Sequence, residues 1–448
     1  MECGVFHTPY MRPGRRDKDT FEYSLMLAAA CDKFGYRDFM VGEHGMQAWE
    51  NIPNPELLIV AAAQITERMR FAPMAHIVPL HNPSTLAIQI GYTSQLLEDR
   101  YFLGVGAGSW ENEAVLRGQP GDLSEAHPRL MEGLEVMDKV WRQEPFDFEG
   151  KYYKAARLDG QIDPGSVASH GEFKVKEGEE YHLTADHSPH GGADGLEIAV
   201  TGLSKNSPSH RLAGERGWTP ISFYGGSALL RSQWDTYSEA VRSIGGTPQG
   251  SRFKIARDVF VAKTDEEAKE KAKNGALGLA WQKYLMPVYQ KYRILQGFID
   301  DADHKVDIDD VDLDYLADNV WLCGSPETVI EKIEKTFDLA GFRYGQLAVN
   351  THDAMDDPEP WIESLRLFAT EVVPNVPSKE HTRLSQWPEP TDNRAPGSSR
   401  QTTTSRGLTR PPRRPRSTPR SIDVNVDQCP RSGGIIRQCQ LRPQPTAA

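Results

Sequence analysis

Histidine is the side chain best suited to moving a proton near neutral pH. In this chain several histidines stand just beyond short apolar runs: His7 after Gly4-Val5-Phe6, His44 after Asp38 to Val41 with Glu43 beside it, and His76 and His81 around Ile77 to Leu80. Any one of them is as readily a hydrogen-bonded structural group, but His44, closing an apolar strand and followed by Gly45, reads as the catalytic one. These histidines and acids could ligate zinc or iron, but none has HxxxH or HExxH spacing on a helix, so the metal signal is weak. No metal is expected. Gly104-Val105-Gly106-Ala107-Gly108 would let a flat ligand approach the backbone closely, because glycine lacks Cβ. The glycine spacing of a dinucleotide fingerprint is not in place. Asn206-Ser207-Pro208-Ser209, ahead of a helix, offers hydroxyls and unpaired N–H groups to a phosphate, or simply a helix cap.

The elements that must position these groups alternate regularly. Strands are expected at residues 4–6, 38–41, 70–78, 101–105, 196–201, 220–223, 253–261 and 346–350. Helices are expected between them, from about 20–34, 55–68, 83–97, 128–141, 209 onward, 228–243, 265–274, 326–340 and 360–372. Gly35 past the first helix and Pro83 at the start of the third are end signals. Eight strands, each followed by a helix, predict an α/β fold, a (β/α)8 TIM barrel whose chemistry sits at the carboxyl ends of the strands. A doubly wound open sheet is the alternative. The alternation breaks over residues 155–195, a polar, His- and Gly-rich insertion after the fourth βα unit, and over 281–317, an acidic helical insertion.

Composition separates a body from a tail. The net charge of −12 combines a body to Pro388 at −19 with a segment from Glu389 at +7, which has eleven Arg and no Lys. Residues 389–448 are dense in Pro, Ser and Thr and should be disordered. An out-of-frame translation of a GC-rich gene would give such an all-Arg composition. An acidic body argues against nucleic acid and anionic membranes as partners. No apolar run spans a bilayer and no leader is evident, so a cytoplasmic protein is expected. Five scattered cysteines without CxxC support neither a disulfide framework nor a zinc site.

Six motifs in order resemble the bacterial-luciferase-like flavin-dependent monooxygenases. They are Gly35-Tyr36 leading to Val41-Gly42-Glu43-His44, Ala75 to Pro83, Leu96 to Gly108, Phe148-Glu149-Gly150 with Tyr152, Arg211 to Gly217, and Cys323 to Thr328. Gly202 to Ser209 is most similar to the limonene monooxygenase subgroup. The resemblance covers about residues 1–376, with 377–388 a linker.

The resemblance implies reduced FMN at the barrel mouth and oxygen adding to it to oxidise a small apolar compound. His44 would assist proton transfer. A non-prolyl cis peptide at Met74-Ala75 would lie under the flavin, with Gly106, Ala107 and Gly108 nearby and Asn206, Ser207 and Ser209 on its phosphate. Residues 155–195 fall where the family has a mobile lid; His7, Glu43, His76, His81 and Trp110 are substrate or lid candidates. Ala107 stands where light-emitting members have a phosphate-contacting arginine, so luciferase activity is not expected, and Asp99 replaces a common glycine. An NAD(P)H-dependent flavin reductase would be the partner, and the family often forms homodimers, for which residues 61–65 could supply a face. Two rivals remain: an F420-dependent hydride-transferring oxidoreductase, and a flavin-binding protein without turnover.

Overall fold

Parallel strands need long crossovers, and the chain supplies them as helices. The computed structural model describes residues 1–377 apart from 9, 109, 158–186, 224 and 300–305. The chain divides into a unit Met1–Pro390 and a second, Thr391–Ala448, which lies outside the described residues. The tail expected to be disordered, almost all of the expected linker and most of the lid expected at 155–195 also lie outside them.

The strands are β1 (Glu2–His7), β2 (Asp38–Val41), β3 (Arg70–Pro73), β4 (His76–Ile77), β5 (Leu103–Gly106), then β6 (Phe146–Glu149) and β7 (Lys154–Arg157), β8 (Ile198–Gly202), β9 (Thr219–Phe223), β10 (Lys254–Arg257), β11 (Val259–Val261), β12 (Leu322–Gly324) and β13 (Gln346–Asn350). The principal sheet runs β3-β2-β1-β13-β10-β9-β8-β5-β4, all parallel. Its two ends, β3 and β4, are consecutive pieces of one strand separated by Met74-Ala75, so the sheet closes into the eight-stranded barrel. The helices are α1 (Asp17–Phe34), α2 (Pro55–Gln64), α3 (Pro83–Leu97), α4 (Glu111–Leu116), α5 (Ala126–Trp141), α6 (Pro208–Arg216) and α7 (Ser227–Ser243). Asp265–Asn274, Pro326–Ala340 and Glu359–Leu367 complete the outer ring.

Local chemistry sets the ends. Gly35 takes φ 89°, and its N–H bonds back to the last turn of α1. Such a left-handed residue suits glycine. Asn82 caps α3 by accepting from the Thr85 N–H, with Pro83 following. Ser325 does the same for Pro326–Ala340.

Two expectations are corrected. The strand expected at 253–261 is two: β10 stays in the barrel, while β11 pairs with β12, which the sequence reading did not identify. Phe146 to Tyr153, whose sequence suggests one short extended segment, opens a hairpin of β6 with β7. The helical insertion expected at 281–317 is, in its described part, several short helical pieces, including a π-helical turn at Trp281–Leu285.

Side chains alternate across a strand, and inside the barrel that alternation makes layers. At the amino-terminal pole Asp38, fully buried, meets Lys254 Nζ at 2.6 Å and Arg70 Nε at 2.9 Å, and Arg70 reaches Glu197 at 2.7 Å. Both cations lie over the Phe102 ring. Above this charged plug is an apolar layer of Phe6, Met40, Ala72, Ile221, Ala256 and Ala348. Met74 and Ala75 sit in the same cluster. A separate, larger core fills the space between strands and helices.

Candidate active site

β2 delivers Glu43 and His44 to the carboxyl-terminal pole, where their side chains join two different networks. The loop beyond them folds back through His44 N–H to Ile52 O at 2.9 Å. That fold brings Glu50 onto the ring: His44 Nε2 donates to Glu50 Oε2 at 2.9 Å, and Nδ1 lies 3.3 Å from Glu113 Oε1 on α4. Glu113 also accepts from the Gly45 N–H at 3.3 Å. Glu50 is itself gripped by the Tyr284 hydroxyl, 2.5 Å from Oε1, and Trp49 stacks on Tyr284. Burial opposes charge on His44, but Glu50 and Glu113 outweigh it and push the imidazole up to about 10. Both carboxylates are held below their usual range, against their burial, chiefly by that same ring. At neutral pH His44 is therefore a cation with both nitrogens donating.

The second network is Glu43 Oε2 to His76 Nδ1 at 2.8 Å, Glu43 Oε1 to His81 Nε2 at 2.7 Å, and His76 Nε2 to Glu56 Oε1 at 2.9 Å. Tyr101 donates to Glu56 at 2.7 Å, and Arg117, just past α4, approaches Glu43 at 3.4 Å. Burial works against the charge on His76, but Glu43 and Glu56 carry it to about 9. Burial likewise opposes the charge on Glu43, which His76 and His81 hold well below the usual carboxylate range. The Glu43, His76 and His81 donor atoms lie within 4.8 Å of one another. Each Glu43 oxygen already faces a ring nitrogen and His76 has both nitrogens against carboxylates, so the set reads as a hydrogen-bonded network.

The remaining predicted residues divide. His7 is fully buried between Thr351 Oγ1 (2.9 Å) and Ser24 Oγ (2.7 Å), and burial lowers its pKa to about 3. It is a core group, and the expectation of a mouth-facing His7 is corrected. The Met74-Ala75 peptide is cis. A Cβ at Gly104 would strike Pro73 O and come within 2.6 Å of Met74 Sδ, so packing against the neighbouring strand requires that glycine. A Cβ at Gly106 would be 3.4 Å from that of Ala75, leaving a floor of small groups; Ala107 is half-buried and Gly108 takes φ 88°. Trp110, half-buried ahead of α4, meets Tyr292 edge-on at 5.5 Å.

At the start of α6 the buried Ser207 hydroxyl caps the helix by accepting from the His210 N–H. Asn206 is exposed at φ 50°, tied to Ser232, and Ser209 is half-buried. Among the described residues neither ring nitrogen of buried His210 has a hydrogen-bond partner, and a Cβ at Gly202 would lie 2.5 Å from Ser207 Oγ and strike His210. A glycine-permitted cradle of hydroxyls and helix N–H groups, with exposed Lys205 on the same turn, is a donor set that fits a phosphate-bearing cofactor. The flat floor of Ala75 and Gly106 fits a planar ring system.

Sequence reasoning missed Glu50, Glu113 and Tyr284. The only signal for the first two is that they are acids in the loop after β2 and in the segment after β5, neighbours of His44 once the barrel closes. Tyr284 has no local signal.

The luciferase-like monooxygenase family model matches residues 1–344. A 2,5-diketocamphane 1,2-monooxygenase of Pseudomonas putida is 49% identical over 376 residues, covering 84% of this chain and 99% of that protein. The oxygenating constituent of P. putida 3,6-diketocamphane monooxygenase, a type II Baeyer-Villiger monooxygenase solved with FMN, superposes with a TM-score of 0.75 at 43% identity, covering 84% and 98% of the two chains. Limonene 1,2-monooxygenase of Rhodococcus erythropolis, from the subgroup singled out in the sequence, is 22% identical over 84% of this chain and 86% of its own. The diketocamphane enzymes are the more similar.

Proposed function

The chain belongs to the luciferase-like monooxygenase family, and from that premise we propose that it is the oxygenating component of a two-component, FMN-dependent monooxygenase acting on a bicyclic terpene ketone. The observation that carries this is the 43%-identical FMN complex of the same fold, matched along 98% of its length. In a Baeyer-Villiger reaction one oxygen atom of O2 enters between the carbonyl carbon and its neighbour, the ketone becomes a lactone, and the other atom leaves as water. Reduced FMN, when bound, supplies the two electrons and the oxygen activation.

This chain's own residues bind, shield and handle protons. Ser207, Ser209 and Asn206 would hold the phosphate with the N–H groups of α6. Met74, Ala75 and Gly106, with Ala107 and Gly108 beyond, would form the floor for the ring. Apolar barrel side chains below that floor exclude water. His44, with a proton on each nitrogen, would donate to oxygen at the reacting centre, a role typically worth about 10²- to 10⁴-fold in rate. His76 and His81, through Glu43, brace the β2 loop, and Trp110 borders the mouth.

Among the described residues no helix is long and apolar enough to cross a membrane, and Cys3, Cys31 and Cys323 are free thiols, in keeping with a cytoplasmic enzyme. A separate NAD(P)H-dependent flavin reductase would provide the reduced flavin. Leu57 on α2, Ile65 just past it, and Ile88, Tyr92 and Leu96 at every fourth position of α3 are exposed. That stripe supports a homodimer through α2 and α3.

The test supplies chemically reduced FMN and 2,5-diketocamphane to the full chain and measures oxygen uptake and lactone. Lactone formed one-for-one with oxygen consumed is expected. Reduction of F420 by a cosubstrate without oxygen uptake would overturn the reading, as would flavin binding with no turnover on any ketone.

A further inference from the structure

Carboxylates only accept hydrogen bonds, so an imidazole lodged between two of them must carry hydrogen on both nitrogens. That is the situation of His44, between Glu50 at 2.9 Å and Glu113 at 3.3 Å. The two clamps are unequal. Both are buried, but the other oxygen of Glu50 is held by Tyr284 at 2.5 Å, and Tyr284 is stacked against Trp49 of the same loop. Glu113 divides one oxygen between the ring and the Gly45 N–H, both at 3.3 Å, and takes a further backbone hydrogen bond from Met46. One clamp is thus anchored by a segment more than 200 residues away, and the other sits on a six-residue helix beside the mouth.

We propose that Glu50 and Glu113 are positioning residues that keep His44 a two-proton donor, with Glu50 the fixed anchor on Nε2 and Glu113 the exchangeable partner that yields Nδ1 to oxygen at the reacting centre. His44 then serves as an acid and hydrogen-bond donor, and once Nδ1 has given up its proton the ring takes one back at that nitrogen before the next turnover. Tyr284 acts one step further out, by fixing Glu50. The charged and titratable groups around His44 are Glu50 with Tyr284 and, beyond it, Tyr10; Glu113 and Arg117 from the α4 segment; and Glu43 with His76 and His81 on the other side of the strand end. Arg117 and the Glu43 network are opposed in charge and set close together, so Glu50 and Glu113 dominate.

The catalytic half of this inference rests on the monooxygenase reading; the charge on the ring does not. The experiment is therefore done first without flavin. Full-length protein with ¹³C,¹⁵N-labelled histidine is titrated by NMR, and the His44 signal is identified by its loss in His44→Gln. His44 is expected to remain doubly protonated at pH 8, with Glu50→Gln bringing its midpoint down by about one to three pH units and Glu113→Gln by less. A neutral His44 at pH 8 in the unmodified chain, or a midpoint unmoved in both variants, overturns the proposal. If Glu50→Gln fails to fold, Tyr284→Phe and Glu113→Gln carry the comparison. Turnover with reduced FMN is then followed against pH. An alkaline limb that moves down with the NMR midpoint is expected, and a limb that stays fixed while the midpoint moves removes the acid role. Absence of any product, with the NMR result as expected, counts against the monooxygenase reading and leaves the ring's charge state standing.

Discussion

The two poles of the barrel both bury charge, and they neutralise it with different chemistry. At the amino-terminal pole Asp38 and Glu197 are met by Arg70 and Lys254, a guanidinium and an ammonium, cation types that ordinarily stay charged well above neutral pH. Burial alone would raise the Asp38 pKa, but Lys254 and Arg70 hold it far below the ordinary range. At the carboxyl-terminal pole Glu43, Glu50 and Glu113 are met chiefly by His44, His76 and His81, whose charge can change within a few pH units of neutrality. The first arrangement closes the barrel. The second keeps buried protons within reach of a mouth that must move them. A buried ion pair is not itself a mark of function; which cation completes it is the informative part.

The largest expected effect is on the upper pole: His44→Ala should lower kcat by about 10²- to 10⁴-fold while FMN affinity, read by fluorescence quenching, changes little. The lower pole should answer in stability instead. Asp38→Asn leaves Lys254 and Arg70 undercompensated inside the barrel and should cost about 3–5 kcal/mol, seen as a lower urea midpoint, with kcat of the folded fraction preserved. A kcat loss there matching that of His44→Ala would erase the distinction between the poles.

The third prediction concerns pH. His44 is raised from 6.5 to about 10 on folding, so its contribution to stability is complete below about pH 6.5 and is lost as pH rises towards about 10. His76, raised to about 9, adds a loss of the same sign. Urea midpoints from pH 6.5 to 10 should therefore fall, and His44→Gln should flatten part of that slope. Asp38→Asn should lower the midpoint already at pH 6.5, where the histidine contribution is complete. The smallest effect is Ser207→Ala, which removes the α6 cap at about 1 kcal/mol and weakens FMN binding roughly fivefold, the same free energy expressed as affinity.

Much of the scaffold was legible because alternation and end signals are local. Gly35, Asn82-Pro83 and Ser325-Pro326 mark helix ends, and the eight barrel strands occur where apolar runs predict them. What the sequence did not reveal is decided by pairing partners. Residues 253–261 read as one strand because nothing in their composition says that Val259–Val261 leaves the barrel for Leu322–Gly324. Six-residue α4 is too short for periodicity to announce it. In the candidate site, the place of His44 at a strand end was legible. Its charge state was not, since that depends on Glu50 brought back by a loop, Glu113 from another βα unit, and Tyr284 from far along the chain. His7 shows the converse: it has the same position at a strand end, yet Ser24 and Thr351 close over it.

The most direct test of the upper pole as the chemical one is a single turnover. Pre-reduced FMN, oxygen and 2,5-diketocamphane are mixed with wild-type protein and with His44→Ala, and lactone and hydrogen peroxide are quantified for each flavin oxidised. The account predicts lactone from the wild type and, from a variant that binds FMN equally well, hydrogen peroxide in its place. Equal lactone yield and rate from the two proteins would contradict it.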